Sequence, residues 1–204
     1  MMNKKTFLPR FLSNRYNIWK STSYLQNEKK IKKLAKYGQR PQAMIISCCD
    51  SRVNVDSIFG AKEGDFFIHR NVANIIPPFK FTKKDHSTFA AIEYAVNELK
   101  VPNLVVLGHT NCGGIKAGHS QHLKGKNKKH KFINSWLANL SMAFKNTPKK
   151  LSIKNQISFL EEENVRVSIL NLLEFPEVKK MVKNKKLSIY GLIYDISSGE
   201  LKSL

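Results

Sequence analysis

Two short segments carry side chains that could bind a metal ion and act on a bound molecule. The first is Cys48-Cys49-Asp50-Ser51-Arg52, and the second is Gly108-His109-Thr110-Asn111-Cys112-Gly113-Gly114. Cys48, His109 and Cys112 together offer two thiolates and one imidazole, a donor set that suits zinc. Three protein ligands leave the fourth position of a tetrahedral ion open, which is typical of a catalytic site rather than a structural one. We therefore predict one Zn²⁺ per chain, bound by these three side chains.

Asp50 and Arg52 lie two and four residues beyond Cys48, close enough to take part in chemistry at the metal. The Asp50 carboxylate could reach the fourth position on zinc or accept a hydrogen bond from zinc-bound water, and both alternatives stay open. An ion pair with Arg52 would keep the pKa of Asp50 low and fix its orientation. Two thiolates make zinc a weaker Lewis acid than three imidazoles do, so we expect activity that rises on the alkaline side.

The segments before these motifs predict how the motifs are positioned. The apolar runs 43–46 and 104–107 have the length of buried strands, and each ends directly before its motif. If the two strands are parallel neighbours, both motifs lie at the carboxyl edge of one sheet, where open α/β folds bind their ligands. Strand and helix patterns alternate along the chain. They predict an α/β fold with a central, mostly parallel β-sheet flanked by helices and preceded by an N-terminal helical arm.

The remaining elements follow from hydrophobic periodicity and from turn residues. We assign residues 1–22 to the arm, whose aromatic side chains we expect to dock on the body or on a partner subunit, and residues 23–204 to a single domain. Asp85 or Ser87 is a candidate cap for a helix that runs to about residue 99. Further helices are predicted over 24–37, 53–60, 132–145 and 152–174 and from residue 112. Strands are predicted over 66–68 and 187–196 and at the C-terminus, and residues 116–131 are predicted to be a helix end followed by a surface loop.

Composition limits the class of protein. The 204 residues are enough for one domain with a full core, and three cysteines are too few for a disulfide framework. The net charge of +20 comes mostly from Lys spread along the chain. The densest run, Lys124–Lys131, has no interleaved aromatic residues, which favours a solvated surface over a nucleic-acid site.

No apolar run is long enough to span a membrane, and residues 1–19 do not look like a secretory signal. We predict a cytoplasmic protein with no specific nucleic-acid or membrane partner; a transit peptide stays an alternative.

Other candidate ligands are weaker. Cys49 points away from Cys48 if the backbone stays extended, so we expect it in the core rather than on the metal. His119, His122 and His130 are expected in a surface loop, where they could bind metal only adventitiously.

At these motifs the sequence resembles the β-class carbonic anhydrases, zinc enzymes that interconvert carbon dioxide and bicarbonate. The resemblance runs from about Leu25 to the C-terminus. Besides the two motifs above, it rests on Gly38-Gln39-x-Pro41, Gly64-Asp65, Arg70-Asn71-Val72-Ala73-Asn74, Ala90-Ala91-Ile92-Glu93-Tyr94-Ala95-Val96 and Tyr194-Asp195-Ile196.

The resemblance implies roles for the residues of both motifs. Cys48, His109 and Cys112 would be the zinc ligands, and Asp50 and Arg52 the catalytic dyad. The implied activity is that of a carbonate dehydratase: reversible hydration of carbon dioxide to bicarbonate and a proton by attack of a zinc-bound hydroxide.

The resemblance also implies a substrate pocket and an assembly. Gln39 would donate a hydrogen bond to bicarbonate, while Phe67, Val72 and Tyr94 would line a small apolar pocket for carbon dioxide, and Gly113 is counted with these substrate-binding residues. In the family, sites lie at a dimer interface and the N-terminal helices wrap the partner. We therefore expect a homodimer or a higher homo-oligomer.

Two residues bear on regulation. A regulated subclass carries Trp three residues before the first Cys ligand and Gly one residue before it, whereas this chain has Ile45 and Ser47 there. The sequence therefore resembles the plant-like, constitutively open subclass, and Gln39 agrees with that assignment.

Other functions stay open at this point. Relatives within the fold hydrolyse carbonyl sulfide or carbon disulfide with the same ligand set. A basic nucleic-acid-binding protein with a structural zinc is an alternative of another class, and it would need a fourth protein ligand.

Overall fold

The computed structural model describes residues 8–81 and 86–204, and its contacts divide the chain after Gln39. The first unit contains two helices, α1 (Arg10–Ser21) and α2 (Ser23–Tyr37), which contact each other and bury none of their own residues. The Trp19 and Tyr24 rings meet edge to face, with centroids 5.4 Å apart. The functional division into an arm over 1–22 and a domain over 23–204 stays a prediction.

The second unit, Arg40–Leu204, is built on one five-stranded sheet. The strand order is β2-β1-β3-β4-β5; the first four strands are parallel, and β5 is antiparallel to β4. This confirms the predicted fold class. The strands are β1 (Ala43–Cys48), β2 (Phe66–Asn71), β3 (Asn103–His109), β4 (Ser188–Tyr194) and β5 (Leu201–Ser203).

The central strands β1 and β3 are largely apolar because both of their faces are covered. Met44 and Ile46 of β1 pack into one hydrophobic core, and the alternate residues Ala43 and Ile45 pack into another. Every residue of β1 is buried. Continuous apolar runs of this kind are the pattern from which the sequence predicts that both candidate loops lie at strand ends.

The helices of this unit surround the sheet. Cys112 precedes α5, as predicted, and Asp85, a candidate cap for α4, lies outside the described residues. None of the helices in the described ranges combines the length and apolar character needed to span a bilayer. The helices are α3 (Val55–Phe59), α4 (His86–Glu93, continued by a π-helical turn over Tyr94–Glu98), α5 (Gly113–Lys124), α6 (Lys131–Leu137), α7 (Ser141–Asn146), α8 (Ile153–Leu173) and α9 (Pro176–Lys183).

Two helical details differ from the prediction. The helix expected over 132–145 is two helices separated by a 3₁₀ turn, Ala138–Leu140. The helix α9 was not predicted, although Pro176 occupies its first turn, a position that proline favours.

Candidate metal centre

Two adjacent strands bring the candidate ligands together. β1 and β3 are parallel neighbours, with Ser47 opposite Leu107, so Cys48 and His109 both lie at the carboxyl end of their strands. Cys112 stands directly before α5, after the two-residue connection Thr110-Asn111. We call residues 48–53 the first metal loop and residues 109–112 the second metal loop.

The geometry of the three side chains fits a metal ion. Their ligand atoms all lie within 4.8 Å of one another, and all three residues are buried. The Cys48 and Cys112 sulfurs are 4.0 Å apart, and neither cysteine forms a disulfide. Zinc–sulfur bonds of about 2.3 Å can bridge such a separation, whereas a disulfide requires about 2.05 Å.

The histidine is oriented as a ligand. His109 Nδ1 lies 2.9 Å from the Thr110 carbonyl oxygen, to which it can donate a hydrogen bond. His109 Nε2 is buried and has no hydrogen-bond partner among the described residues. Buried polar atoms nearly always have partners, so an unpartnered imidazole nitrogen beside two sulfurs fits the role of a metal ligand.

The two sulfurs influence each other strongly. The hydrogen bond with Cys112 lowers the pKa of the Cys48 thiol, and the Ala73 N–H, 3.3 Å from the Cys48 sulfur, acts in the same direction. The same contact with Cys48, together with burial, raises the pKa of Cys112. The pair therefore favours one thiolate, and a cation is needed to stabilise both.

Asp50 and Arg52 form the predicted ion pair next to this group. Arg52 Nε and Nη2 donate to the two Asp50 carboxylate oxygens at 2.9 and 2.7 Å, and the Arg52 backbone N–H donates at 3.0 Å. These hydrogen bonds hold the pKa of Asp50 well below its usual range. Asp50 Oδ2 lies 3.9 Å from His109 Nε2, so an ionised carboxylate faces the ligand group without belonging to it.

Arg70 supports the first metal loop, a role that no sequence argument assigned to it. Its guanidinium donates to the backbone carbonyls of Cys48, Asp50 and Val53 at 2.8–2.9 Å. One side chain thus fixes three carbonyls of the loop that carries a ligand and the ion pair. The only sequence signal was that Arg70 opens a motif quoted for the family resemblance.

Glu161 supports the second metal loop, and the sequence argument assigns no role to this residue either. Its carboxylate accepts the Cys112 backbone N–H at 2.9 Å, and burial raises its pKa. The run Glu161-Glu162-Glu163 looks like a solvated helix face in the sequence, so nothing local marks its first member.

The comparisons with known proteins agree with this site. The family described as "Carbonic anhydrase" matches residues 43–201. "Beta carbonic anhydrase 3" of Arabidopsis thaliana is 38% identical over 185 residues, which cover 89% of this chain and 70% of the relative. The chain belongs to the β-class carbonic anhydrases. It is therefore an enzyme of the carbonate dehydratase type.

Solved structures show the same fold. A tetrameric β-carbonic anhydrase from Sordaria macrospora is 31% identical, with a TM-score of 0.83 over 95% of each chain. The β-carbonic anhydrase CafA of Aspergillus fumigatus is 32% identical, with a TM-score of 0.82 over 96% of this chain and 91% of that one. Relatives of this carbonic anhydrase include mitochondrial and chloroplastic forms from Arabidopsis thaliana, so a cytoplasmic location stays a prediction.

The predicted pocket residues of this carbonic anhydrase fall into separate groups. Val72 packs in the same core cluster as Cys48 and Cys112, and Gly113 directly follows Cys112. Phe67 and Tyr94 contact each other, with ring centroids 5.8 Å apart.

The strand register places Phe67 away from the ligands of its own chain. Asn71 lies opposite Cys48, and Phe67 is four residues earlier on β2, opposite Met44. Four residues of a parallel strand span about 13 Å, at ~3.3 Å each. Gln39 ends the N-terminal unit, and its role stays a prediction.

Two weaker sequence expectations are wrong. Cys49 is exposed rather than part of the core. His122 and His119 both lie in α5 rather than in a surface loop. His119 is also buried, with Nε2 2.9 Å from Gln156 Oε1. The helix continues past residue 116 to Lys124, which brings this histidine against α8.

Proposed function

We propose that the chain catalyses reversible hydration of carbon dioxide to bicarbonate and a proton, using one zinc ion held by Cys48, His109 and Cys112. The observation that carries the proposal is the buried group of these three side chains beside an ionised Asp50, in a chain of this family. When bound there, zinc supplies a Lewis acid that lowers the pKa of a water molecule.

The donor set supports zinc with an open position. In the described part of the chain, the group contains three ligands, and two thiolates with one imidazole suit zinc better than magnesium or calcium. The alternative of a structural zinc in a nucleic-acid-binding protein needs a fourth protein ligand. Asp50, whose Oδ2 lies 3.9 Å from His109 Nε2, is instead held by three hydrogen bonds from Arg52.

Asp50 is the proposed acid–base and orienting group. Because Arg52 keeps it ionised, it can accept a hydrogen bond from a reacting water and fix the direction of its lone pairs. Arg52 also donates to the Asn111 carbonyl at 3.1 Å, which ties the dyad to the second metal loop. We assign the chain to the constitutively open subclass, since the engagement of Asp50 with Arg52 leaves the ligand group free of it.

We also propose that the enzyme is a homo-oligomer with shared active sites. The distance along β2 supports this, because Phe67 and Tyr94 can line a pocket beside zinc only in a second copy of the chain. Gln39, Val72 and Gly113 are the other proposed substrate-binding residues.

Subunit mixing tests the shared site. Asp50→Ala and Phe67→Ala subunits are each expected to be weakly active, and mixing them should restore activity in the one site that combines an intact Asp50 with an intact Phe67. Activity that stays at the average of the two parents would contradict a shared pocket.

Stopped-flow measurement of carbon dioxide hydration, with zinc quantified in the same sample, tests the function itself. We expect activity proportional to zinc content, lost on treatment with a chelator and regained with added zinc. Parallel assays with carbonyl sulfide and carbon disulfide test the two alternatives within the fold. Salt-dependent binding of DNA or RNA by an inactive, zinc-containing protein would support the nucleic-acid alternative instead.

A further inference from the structure

Helix α8 presents two buried polar side chains to the backbone beside the two sulfur ligands: one to Cys112 itself and one to Ala73, which contacts the Cys48 sulfur. Glu161 accepts the Cys112 backbone N–H at 2.9 Å, and Asn164 Nδ2 donates to the Ala73 carbonyl at 2.8 Å. The two residues are 5% and 3% exposed. Because they are three positions apart on a helix, they project from the same face, one turn from each other.

On the Cys112 side, Glu161 accepts a backbone N–H for which helix α5 itself provides no acceptor. Cys112 caps α5, so its own N–H precedes the hydrogen bonds of the helix. The preceding residue, Asn111, has a positive φ of 57°, a conformation that non-glycine residues rarely adopt. The hydrogen bond from the Cys112 N–H to Glu161 of the long helix α8 therefore fixes the backbone directly after the positive-φ residue Asn111.

On the Cys48 side, Asn164 fixes the residue that contacts the sulfur. The Ala73 N–H donates to the Cys48 sulfur at 3.3 Å, while the carbonyl of the same residue accepts from Asn164. Ala73 also has a positive φ, of 63°, so it needs outside support to stay in place. Asn164 therefore acts on Cys48 through Ala73.

We propose that Glu161 and Asn164 are positioning residues that set the separation of the two zinc-binding sulfurs from a single rigid helix. The inference rests on the proposed zinc site. It assigns to α8 a role in metal retention that neither residue's type nor its surrounding sequence indicates.

The alternative is that Glu161 and Asn164 only provide hydrogen-bond partners for buried backbone groups and have no effect on zinc binding. The same helix offers a matched control for that possibility. Asn171 is also 3% exposed, and its Nδ2 donates to the Ile76 carbonyl at 2.6 Å, so it makes the same kind of buried bond away from the sulfurs.

The experiment compares zinc release in the full chain for wild type, Asn164→Ala, Asn171→Ala, Glu161→Gln and Glu161→Met. Release to a chromophoric chelator is followed by absorbance, and thermal unfolding is measured on the same samples. We expect Asn164→Ala and Glu161→Met to release zinc about 10–100-fold faster than wild type, the usual cost of losing support behind a ligand. Asn171→Ala should lower the melting temperature by about as much as Asn164→Ala does, but it should leave the rate of zinc release unchanged.

Glu161→Gln tests the hydrogen bond directly, because its amide oxygen can still accept the Cys112 N–H. It should release zinc within about twofold of wild type. Equal acceleration in Asn164→Ala and Asn171→Ala would overturn the proposal, as would no acceleration in Asn164→Ala. If Asn164→Ala does not fold, equal release from Glu161→Gln and Glu161→Met overturns it. A wild-type chain that binds no zinc would instead contradict the proposed function.

Discussion

The two metal loops are held in opposite ways. The first, residues 48–53, is fixed by the exposed cation Arg70 and carries a solvent-accessible ion pair, Asp50–Arg52. The second, residues 109–112, lies deeper and is anchored by the buried carboxyl group of Glu161. The difference separates two tasks: the reacting groups Asp50 and Arg52 lie on the loop that faces solvent, and the deeper loop fixes ligand geometry.

The largest effect is expected from removing a ligand. Cys48→Ser should lose zinc and reduce carbon dioxide hydration to the uncatalysed rate, because a serine hydroxyl does not replace a thiolate on zinc. Metal analysis and stopped-flow assays measure both. Cys49→Ser is the matched control, since Cys49 is exposed and outside the ligand group; zinc loss in this control would show that the group is assigned wrongly.

Removing the reacting carboxylate should separate the two tasks. Asp50→Ala is expected to keep its zinc and to lose about 10²–10⁴-fold in kcat, the usual contribution of a positioned acid–base group. Asp56→Ala, an exposed carboxylate in α3, serves as the control. Loss of zinc from Asp50→Ala would mean that the first metal loop also sets the ligand geometry.

The pH dependence of activity sharpens the same distinction. Arg52 holds the pKa of Asp50 below its usual range, so Asp50 is ionised throughout the neutral and alkaline region and adds no step there. Because two thiolates weaken the Lewis acidity of zinc, kcat should rise from about pH 6 to about pH 9. A flat kcat profile over that range would count against activation of water by the metal.

Releasing the first metal loop should have an intermediate effect. Arg70→Met removes the guanidinium that donates to the Cys48, Asp50 and Val53 carbonyls, and we expect the free energy of unfolding to fall by about 1–3 kcal/mol, with reduced kcat. Denaturant unfolding and kinetics measure the two. Arg166→Met, which removes two ion pairs of an exposed arginine on α8, should change neither by much.

The smallest effects distinguish two adjacent glycines at the start of α5. A Cβ on Gly114 would lie 2.8 Å from Val72 Cγ1 and 2.9 Å from Ala73 Cβ, so Gly114→Ala should destabilise by about 1–3 kcal/mol. A Cβ on Gly113 meets nothing within 4 Å, and Gly113→Ala should be neutral or stabilising by up to about 1 kcal/mol. Equal melting temperatures for the two variants would contradict close packing of Ala73 on α5.

Much of the architecture could be predicted because its signals are local. The runs before Cys48 and His109 are continuous and apolar, and a strand with both faces buried requires that pattern. The exposure of Cys49 could not be predicted in the same way, because it depends on how the chain leaves β1 after Cys48. His119 was misplaced for a related reason: its burial depends on Gln156, 37 residues further along.

The sequence by itself determined the chemistry: which atoms can bind zinc, which carboxylate and guanidinium accompany them, and that all lie at or just beyond the ends of strands. Those facts depend on residue type and on short spacings. Only the tertiary structure decided what holds the site and where the pocket residues lie. Glu161 meets Cys112 across 49 residues and Asn164 meets Ala73 across 91, while the register of β2 separates Phe67 from Cys48. Such pairings arise from packing between distant segments, and no local pattern encodes them.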